Sequence, residues 1–529
     1  MSRPPEPARL AGLGLATLLV LSGCAATLDL NAPRTPSHAE SNHAESTLKA
    51  HLAQHIAPDE SGFHLLQGGH AALAARLTLA QRASRTLDVQ YYLFHNDTTG
   101  KLVAATLLAA AERGVRVRLL IDDIDTADKD VRLATLNAHP NIEVRLFNPF
   151  HTRSTNPLVK GWQALRDRVR LNRRMHNKVF IADNQIGITG GRNIGDEYFD
   201  AHHDLAFVDL DVVAAGAIVD SLSQSFDQYW NSIAAVPASA LPVRTSDARL
   251  QRATRRLLAH RAEKLDSDYG RALTAADPLP GLLAGTRPWH IAHADLIVDP
   301  PEKVLVRNKP SSKLLIGQLA GLTVDPRQRA LIVSPYFVPG ATGMAYFEYW
   351  RSQGVQVDVL TNAFAANDVP VVHAGYANYR LPLLQAGVGL YELKPVADPI
   401  GGRLRDLGSG SSRASLHAKT FVFDDEHVFI GSFNFDPRSA LLNTEMGLVI
   451  HSPELARQVT AIAKDAMRPE RSYQPRIVIE KAKKGIVRRL QWHDVHQGSE
   501  RIFDLEPETT LIQRGLLRIL QGMPIEEHL

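Results

Sequence analysis

A chain that carries the same uncommon motif twice, at matching places in two copies of one pattern, can fold in few ways. Residues 176–183 read HNKVFIAD and residues 417–424 read HAKTFVFD, so each is HxKxxxxD. Gly190, Gly191 and Asn193 follow the first copy; Gly431, Ser432 and Asn434 follow the second. A lone HxKxxxxD should arise by chance roughly 0.04 times in such a chain, which makes one copy a weak signal. Two copies with the same G-x-N tail are a strong one. Their surroundings repeat as well. LDVQYYLF at 87–94 and LIVSPYFV at 331–338 are β-branched and aromatic runs of the kind that form buried strands. Each leads into a helical segment that ends at a glycine, Gly114 or Gly354, and then into a strand of alternating apolar residues. The offset between copies is 240 at the glycines and 241 at the motifs. Strands alternating with helices make each copy an α/β layer structure.

The motif has a chemical logic. His176 and Lys178 stand two apart at a strand start, so both side chains face one side, as do those of His417 and Lys419. Asp183 and Asp424 close each motif where the apolar run is interrupted, and a turn aspartate ordinarily bonds local backbone. That favours a structural role for both within the catalytic motif. Gly190, Gly191, Gly431 and Ser432 are small enough to let backbone approach a phosphate, and Asn193 and Asn434 are placed to donate to its oxygens.

A chain of 529 residues is long for one core, which predicts two domains. The expected division is a leader at 1–23, a linker at 24–60, a first domain at 61–235, a connector at 236–325, a second domain at 326–467 and an extension at 468–529. The connector holds a basic helical segment from Arg249 to Lys264, and the extension pairs a basic patch with the amphipathic run LIQRGLLRIL. That run reads either as a helix packed on the body or as a membrane-surface contact. With 59 basic and 56 acidic residues the chain lacks the excess of a dedicated duplex-DNA binder.

The single cysteine sits in an informative place. Arg3 and Arg9 precede an apolar stretch that ends Leu21-Ser22-Gly23-Cys24, the layout of an export signal. Leu-Ser-Gly-Cys resembles the bacterial lipobox, which implies a diacylated Cys24 and a periplasm-facing, membrane-anchored lipoprotein. Ala25, where sorting rules would read an aspartate differently, implies the outer membrane of a Gram-negative cell. No Cys/His run has zinc spacing and no glycine-rich loop carries Lys-Ser or Lys-Thr, so neither a metal nor a nucleotide cofactor is expected.

The paired HxKxxxxD and G-x-N sets resemble the phospholipase D superfamily over roughly residues 65–465. RRMHNK, GGRNIGDEYF, GSFNFDPRSALLNTEMGLVI and the C-terminal PIEEHL are closest to the C-type bacterial cardiolipin synthases. The resemblance implies tandem α/β/α sandwiches about a pseudo-twofold axis with one shared active site. It implies His176 as the nucleophile that forms a phosphohistidine, and His417 as the acid that protonates the departing alcohol and then the base that deprotonates the incoming one. Lys178, Lys419, Asn193 and Asn434 would hold the phosphate oxygens. Members of the family place an acid 28 residues after each motif histidine to orient the ring; here those positions are Asp204 and Glu445. Gly191 departs from the serine common at its place.

Three functions compete on this reading. The first is cardiolipin synthesis, with phosphatidylglycerol accepting a phosphatidyl group from a second phospholipid. The second is hydrolysis of phospholipid or nucleic acid, for which the basic run Arg166, Arg168, Arg170, Arg173 and Arg174 is the relevant feature. The third, a membrane-binding protein with a relict site, would show a missing histidine or lysine, and none is missing. The anchor and the charge balance favour phospholipid over nucleic acid. The duplication completes the site without an oligomer, and a partner protein is compatible with it.

Overall fold

In a computed structural model of the chain, residues 27–40, 46–126, 129–153, 157–202, 205–306, 309–322, 325–367, 369–395, 413–482 and 485–523 are described. Cys24 and PIEEHL lie outside them. Strands of the first half are β1 (Ser61–Leu66), β2 (Thr86–Tyr91), β3 (Arg116–Asp122), β4 (Ile142–Phe147), β5 (Val179–Ala182), β6 (Ile186–Gly190), β7 (Leu205–Val208), β8 (Asp211–Gly216), β9 (Ala235–Pro237) and β10 (His290–Ile291). The second half has β11 (His293–Val298), β12 (Arg329–Val333), β13 (Gln356–Asn362), β14 (Gly389–Leu393), β15 (Arg413–Leu416), β16 (Thr420–Phe423), β17 (His427–Gly431) and β18 (Met446–His451). The extension adds β19 (Ser472–Ala482), β20 (Gly485–His496) and β21 (Ser499–Phe503).

The duplication is visible in strand order. The first sheet runs β10-β1-β8-β6-β5-β2-β3-β4-β9 and the second β11-β18-β17-β16-β12-β13-β14-β19-β20-β21. In each, three parallel strands (β2-β3-β4, β12-β13-β14) adjoin the antiparallel hairpin that follows the motif histidine (β5-β6, β16-β17). Helices cover both faces. The helices Ile218–Trp230 and Pro453–Ala466 bury Phe226, Trp230, Leu455 and Val459 in one core with residues of both sheets, while each outer face has its own core. The molecule is thus two α/β/α units sharing a central apolar layer.

Segment 236–325 supplies β10 to the first sheet and β11 to the second, so it is woven into both halves. The stretch expected as a linker is also docked over its described part. Leu28 is fully buried with its N–H on the His151 carbonyl, Thr27 bridges Thr152, and Arg34 donates to the carbonyls of Ala235 and Ile233. In the extension, the helix Leu511–Gln521 packs Leu517 against Phe364 and Ala374 but leaves Leu511, Ile512 and Ile519 exposed. Among the described residues no helix is long and apolar enough to cross a membrane.

Candidate active site

Two backbone bridges between the halves set the geometry. β7 and β15 pair in parallel with Val208 opposite Leu416, and Met175 bridges Thr444, also in parallel. The next residue on each strand is a motif histidine or an acid from the other half. His417 N–H donates to the Val208 carbonyl at 2.8 Å, and His176 N–H to the Thr444 carbonyl at 2.8 Å. The side chains then meet crosswise. His176 Nδ1 lies 2.9 Å from Glu445 Oε2, and His417 Nδ1 lies 2.6 Å from Asp209 Oδ2. Each half therefore orients the histidine of its partner half, leaving Nε2 of both rings for chemistry.

Asp209 is the residue that sequence reasoning missed. Asp204, the position 28 after His176, lies outside the described residues. Asp209 stands 33 after His176, but β6 and β8 register Gly190 with Asp211 just as β17 and β18 register Gly431 with Gly447. Counting two back from those partners gives Asp209 and Glu445. The five additional residues lie between Asn193 and Asp209, in a segment of β7 and loop, so the acid is found by strand register and not by distance from the histidine.

The G-x-N tails pack against these acids. A Cβ on Gly191 would stand 2.1 Å from Asp209 Oδ1, so the shorter aspartate occupies the space of the absent side chain. In the second copy the longer Glu445 leaves room for Ser432, whose hydroxyl donates to Glu445 Oε2. A Cβ on Gly431 would meet the Met446 carbonyl at 2.3 Å, and one on Gly190 would meet Asp211. The small residues expected to cradle a phosphate thus make room for protein atoms. Asn193 is engaged too: its Oδ1 accepts from Leu93 N–H and its Nδ2 donates to the Tyr198 hydroxyl, which fixes a ring 5.2 Å from His417. Asn434 is buried, and its Oδ1 has no partner among the described residues.

The lysines are almost wholly buried beside the histidines. Lys178 Nζ donates to the His176 carbonyl at 2.6 Å, and Lys419 Nζ to the His417 carbonyl. Burial pushes Lys178 down to about 7, with Lys419 adding to the fall and Glu445 opposing it. Burial likewise pushes His176 down to about 4, against the pull of Glu445, and His417 down to about 3, reinforced by Lys419. Burial acts to raise Glu445, but His176 and Lys178 hold it below the usual range; His417 and Lys419 do the same to Asp209. Both rings are therefore neutral at neutral pH, with Nδ1–H on the carboxylate and a lone pair on Nε2. Tyr92 lies edge-on to His176 at 5.0 Å and Phe207 tilts on His417 at 5.0 Å, giving the cleft aromatic walls.

Supporting carboxylates hold the lead-in strands. Asp122 accepts from Met175 N–H and Arg174; Asp299 accepts from Glu445 N–H at 3.0 Å and from the fully buried Lys303 at 2.8 Å. Asp183 and Asp424 serve elsewhere. Asp183 accepts from the N–H groups of Ser84, Arg85 and Thr86 and from the Ser46 hydroxyl, and Asp424 from the N–H groups of Arg327, Gln328 and Arg329. Both tie the turn after the motif to the start of the adjacent parallel strand. Of the basic run, Arg173 and Arg174 are buried and Arg170 bonds Asn148 and Pro149, leaving Arg166 and Arg168 exposed.

Known proteins resemble this chain in sequence and in fold. Residues 77–230 and 325–467 match the family model described as cardiolipin synthase, PLD-like domain. The chain is 42% identical over 470 residues to cardiolipin synthase C of Escherichia coli K12, covering 89% of this chain and 96% of that one. It is 33% identical to an uncharacterized protein of Helicobacter pylori strain 26695, over 81% of this chain and 84% of the relative. Among solved structures it is similar in fold to phosphatidylserine synthase of Haemophilus influenzae, with a TM-score of 0.54 and 13% identity over 91% of this chain and all of that one. Matched in both halves and across most of its length, the chain belongs to the cardiolipin synthase family of phospholipase D-like proteins.

Proposed function

We propose that this protein makes cardiolipin by transferring a phosphatidyl group from one phospholipid to a glycerol hydroxyl of phosphatidylglycerol, through a phosphohistidine on His176. The observation that carries the reading is the crossed arrangement: two neutral imidazoles, each held at Nδ1 by an acid of the other half, beside two buried lysines. In the first step Nε2 of His176 attacks phosphorus, the bond to the leaving alcohol breaks, and His417 gives that oxygen a proton. The anionic phosphodiester, once bound beside His417, favours the protonated ring this step requires. In the second step the incoming hydroxyl passes its proton to Nε2 of His417 as its oxygen attacks phosphorus and the P–N bond breaks. Lys178 and Lys419 offset the charge that builds on the non-bridging oxygens, the role that preorganised cations fill in a dry site. Acid–base help of this kind contributes about 10²–10⁴-fold.

A lipid surface as the source of substrate has its own support. Trp162, Leu165 and Val169 are 65%, 64% and 47% exposed on a segment that runs directly into Arg174 and His176, with Arg166 and Arg168 exposed beside them. Exposed apolar residues flanked by arginine suit a bilayer interface with anionic headgroups better than a nucleic acid groove. Cys24 precedes Thr27, which is bridged to Thr152, by three residues. A lipidated Cys24 would hold this same edge within ~10 Å of the membrane. We accordingly read the protein as a periplasm-facing lipoprotein, anchored in the outer membrane.

The test is expression of the full chain and of His176→Ala in cells that lack other cardiolipin-making enzymes, with lipids quantified by mass spectrometry. Cardiolipin with the wild type alone is the expected result. A rise in phosphatidic acid instead would mean that water is the acceptor, and no lipid change would direct attention to nuclease assays or to a partner protein.

A further inference from the structure

The basic helical segment of the connector has no part in the site described above, yet it lines a sizeable cavity of the first half. The helices Thr98–Glu112, Asp130–Asn137 and Asp247–Leu265 enclose a space of about 620 Å³. That volume falls among sites that hold organic ligands, ~300–1,000 Å³. Its floor is hydrocarbon, formed by Leu119, Ile121, Leu133 and Leu136. Its rim is cationic. Arg249, Arg252, Arg256 and His260 recur at spacings of three and four and so share one face of their helix, with Lys101 and Arg132 opposite. Among the described residues, no aspartate or glutamate lines the cavity. Among the described residues, none of Lys101, Arg132, Arg249, Arg252 and Arg256 makes an ion pair with a carboxylate. In a chain with 59 basic and 56 acidic residues, such an unbalanced ring is a local departure that costs self-repulsion until an anion enters.

The cavity adjoins the catalytic cleft. Phe94 lines it two residues after Tyr92, whose ring touches His176, and Phe94 bridges Ile194, the neighbour of Asn193. Lys129, also a lining residue, donates to the Phe94 carbonyl at 3.1 Å. The loop 92–96 is therefore a wall common to both spaces.

The geometry points to a second lipid site: this cavity binds an anionic phospholipid or lysophospholipid, with its acyl chain on the leucine floor and its phosphate on the arginine stripe. The inference deepens the lipid reading and rests on it, since it holds an anionic lipid beside the histidines without using them. A zwitterionic headgroup brings its own cation to the stripe and should be rejected; a phosphate without a chain forgoes the floor.

The test measures binding and not turnover, so it stands apart from the fate of the cardiolipin assay. The full chain carrying His176→Ala is titrated calorimetrically with oleoyl lysophosphatidylglycerol, oleoyl lysophosphatidylcholine and glycerol 3-phosphate, all below micelle formation. The anionic lysolipid is expected to bind at least ten-fold more tightly than either of the others. Arg252→Glu with Arg256→Glu, both on the exposed rim, should weaken it at least ten-fold at an unchanged melting temperature. Leu136→Trp, which fills the floor, should do the same. Equal affinity for the two lysolipids, equal affinity for glycerol 3-phosphate, or indifference to the double arginine variant would overturn the proposal, whether or not Leu136→Trp folds.

Discussion

Glu445 Oε2 lies 2.9 Å from Nδ1 of His176, a residue 269 positions earlier and in the opposite half of the molecule. Its counterpart, Asp209 on His417, crosses in the other direction. Neither half can orient its own histidine, so the duplicated chain has one site and not two, and the bridges Met175–Thr444 and β7–β15 are what bring it together.

Removing either acid should act through the opposite histidine. Glu445→Gln keeps the shape but no longer fixes the Nδ1–H tautomer of His176, and Asp209→Asn does the same to His417. Each is expected to lower kcat by roughly 10²–10⁴-fold with the fold intact. Single-turnover rates should be non-additive within a crossed pair, with His176→Ala/Glu445→Gln no slower than His176→Ala. A double variant that is slower by the product of both losses would show that Glu445 acts independently of His176.

The mismatch between Gly191 and Ser432 makes a sharper test. Gly191→Ser puts an atom 2.1 Å from where Asp209 Oδ1 now stands, so the carboxylate must move away from His417. A loss of at least ten-fold in kcat is expected. Ser432→Gly removes one donor from Glu445, which keeps His176, and should cost less than Gly191→Ser. The reverse ranking would refute the account of why the two copies differ.

How much of this was legible in the sequence follows from which features are local. His176-x-Lys178 and His417-x-Lys419 are fixed by the two-residue period of a strand, and the repeat of strands and helices determines the α/β layers. Asp209 was not legible by counting, because five extra residues before β8 shift the acid while strand register preserves its place. The docked residues 27–40 were equally hidden, since only the tertiary fit of Leu28 and Arg34 distinguishes them from a polar linker. The buried arginines had the same ambiguity: Arg173 and Arg174 look like surface charge until Asp122 and the core around them are known.

Asp183 should matter to stability and little to chemistry. Its carboxylate satisfies three successive N–H groups at the start of β2, and its own φ of +52° is one that asparagine also tolerates. Leaving a buried donor unpaired costs about 1–3 kcal/mol. Asp183→Ala is therefore expected to lose ~2–4 kcal/mol in chemical denaturation, and Asp183→Asn less, while the folded fraction keeps its kcat. A fall in kcat at full folding would return Asp183 to the catalytic group.

The titration of the site predicts its pH profile. On the proposed mechanism His176 must be neutral, which burial secures by holding it down to about 4, and His417 must be charged, although burial holds it down to about 3; kcat/KM, which reports the free enzyme, should therefore fall as pH rises above about 4. The same mechanism needs Lys178 charged, and burial brings it down to about 7, so the fall should steepen as pH increases past that value. Lys178→Arg keeps its charge through this range. Whatever its maximal rate, the steeper part of its fall should move to higher pH; an unmoved steepening would assign that titration to another group.

Trp162, Leu165 and Val169 form an exposed apolar stripe with Arg166 and Arg168, and the chain then enters the cleft through Arg174, which is locked to Asp122, and Met175, whose N–H is held by the same carboxylate. Since the stripe is solvent-exposed, Trp162→Ser with Leu165→Ser removes no core packing and should leave the melting temperature unchanged. It should weaken sedimentation with vesicles of phosphatidylglycerol and phosphatidylethanolamine and raise KM for vesicle substrate, while kcat on a soluble short-chain phosphodiester is retained. Arg166→Glu with Arg168→Glu should impair binding to anionic vesicles only, and the deficit should widen as ionic strength falls, because the repulsion it introduces is then less screened. Vesicle binding that is the same in both double variants as in the wild type would mean that the cleft meets its lipid from another side of the molecule, for which the exposed Leu511, Ile512 and Ile519 of the C-terminal helix would be the next surface to alter.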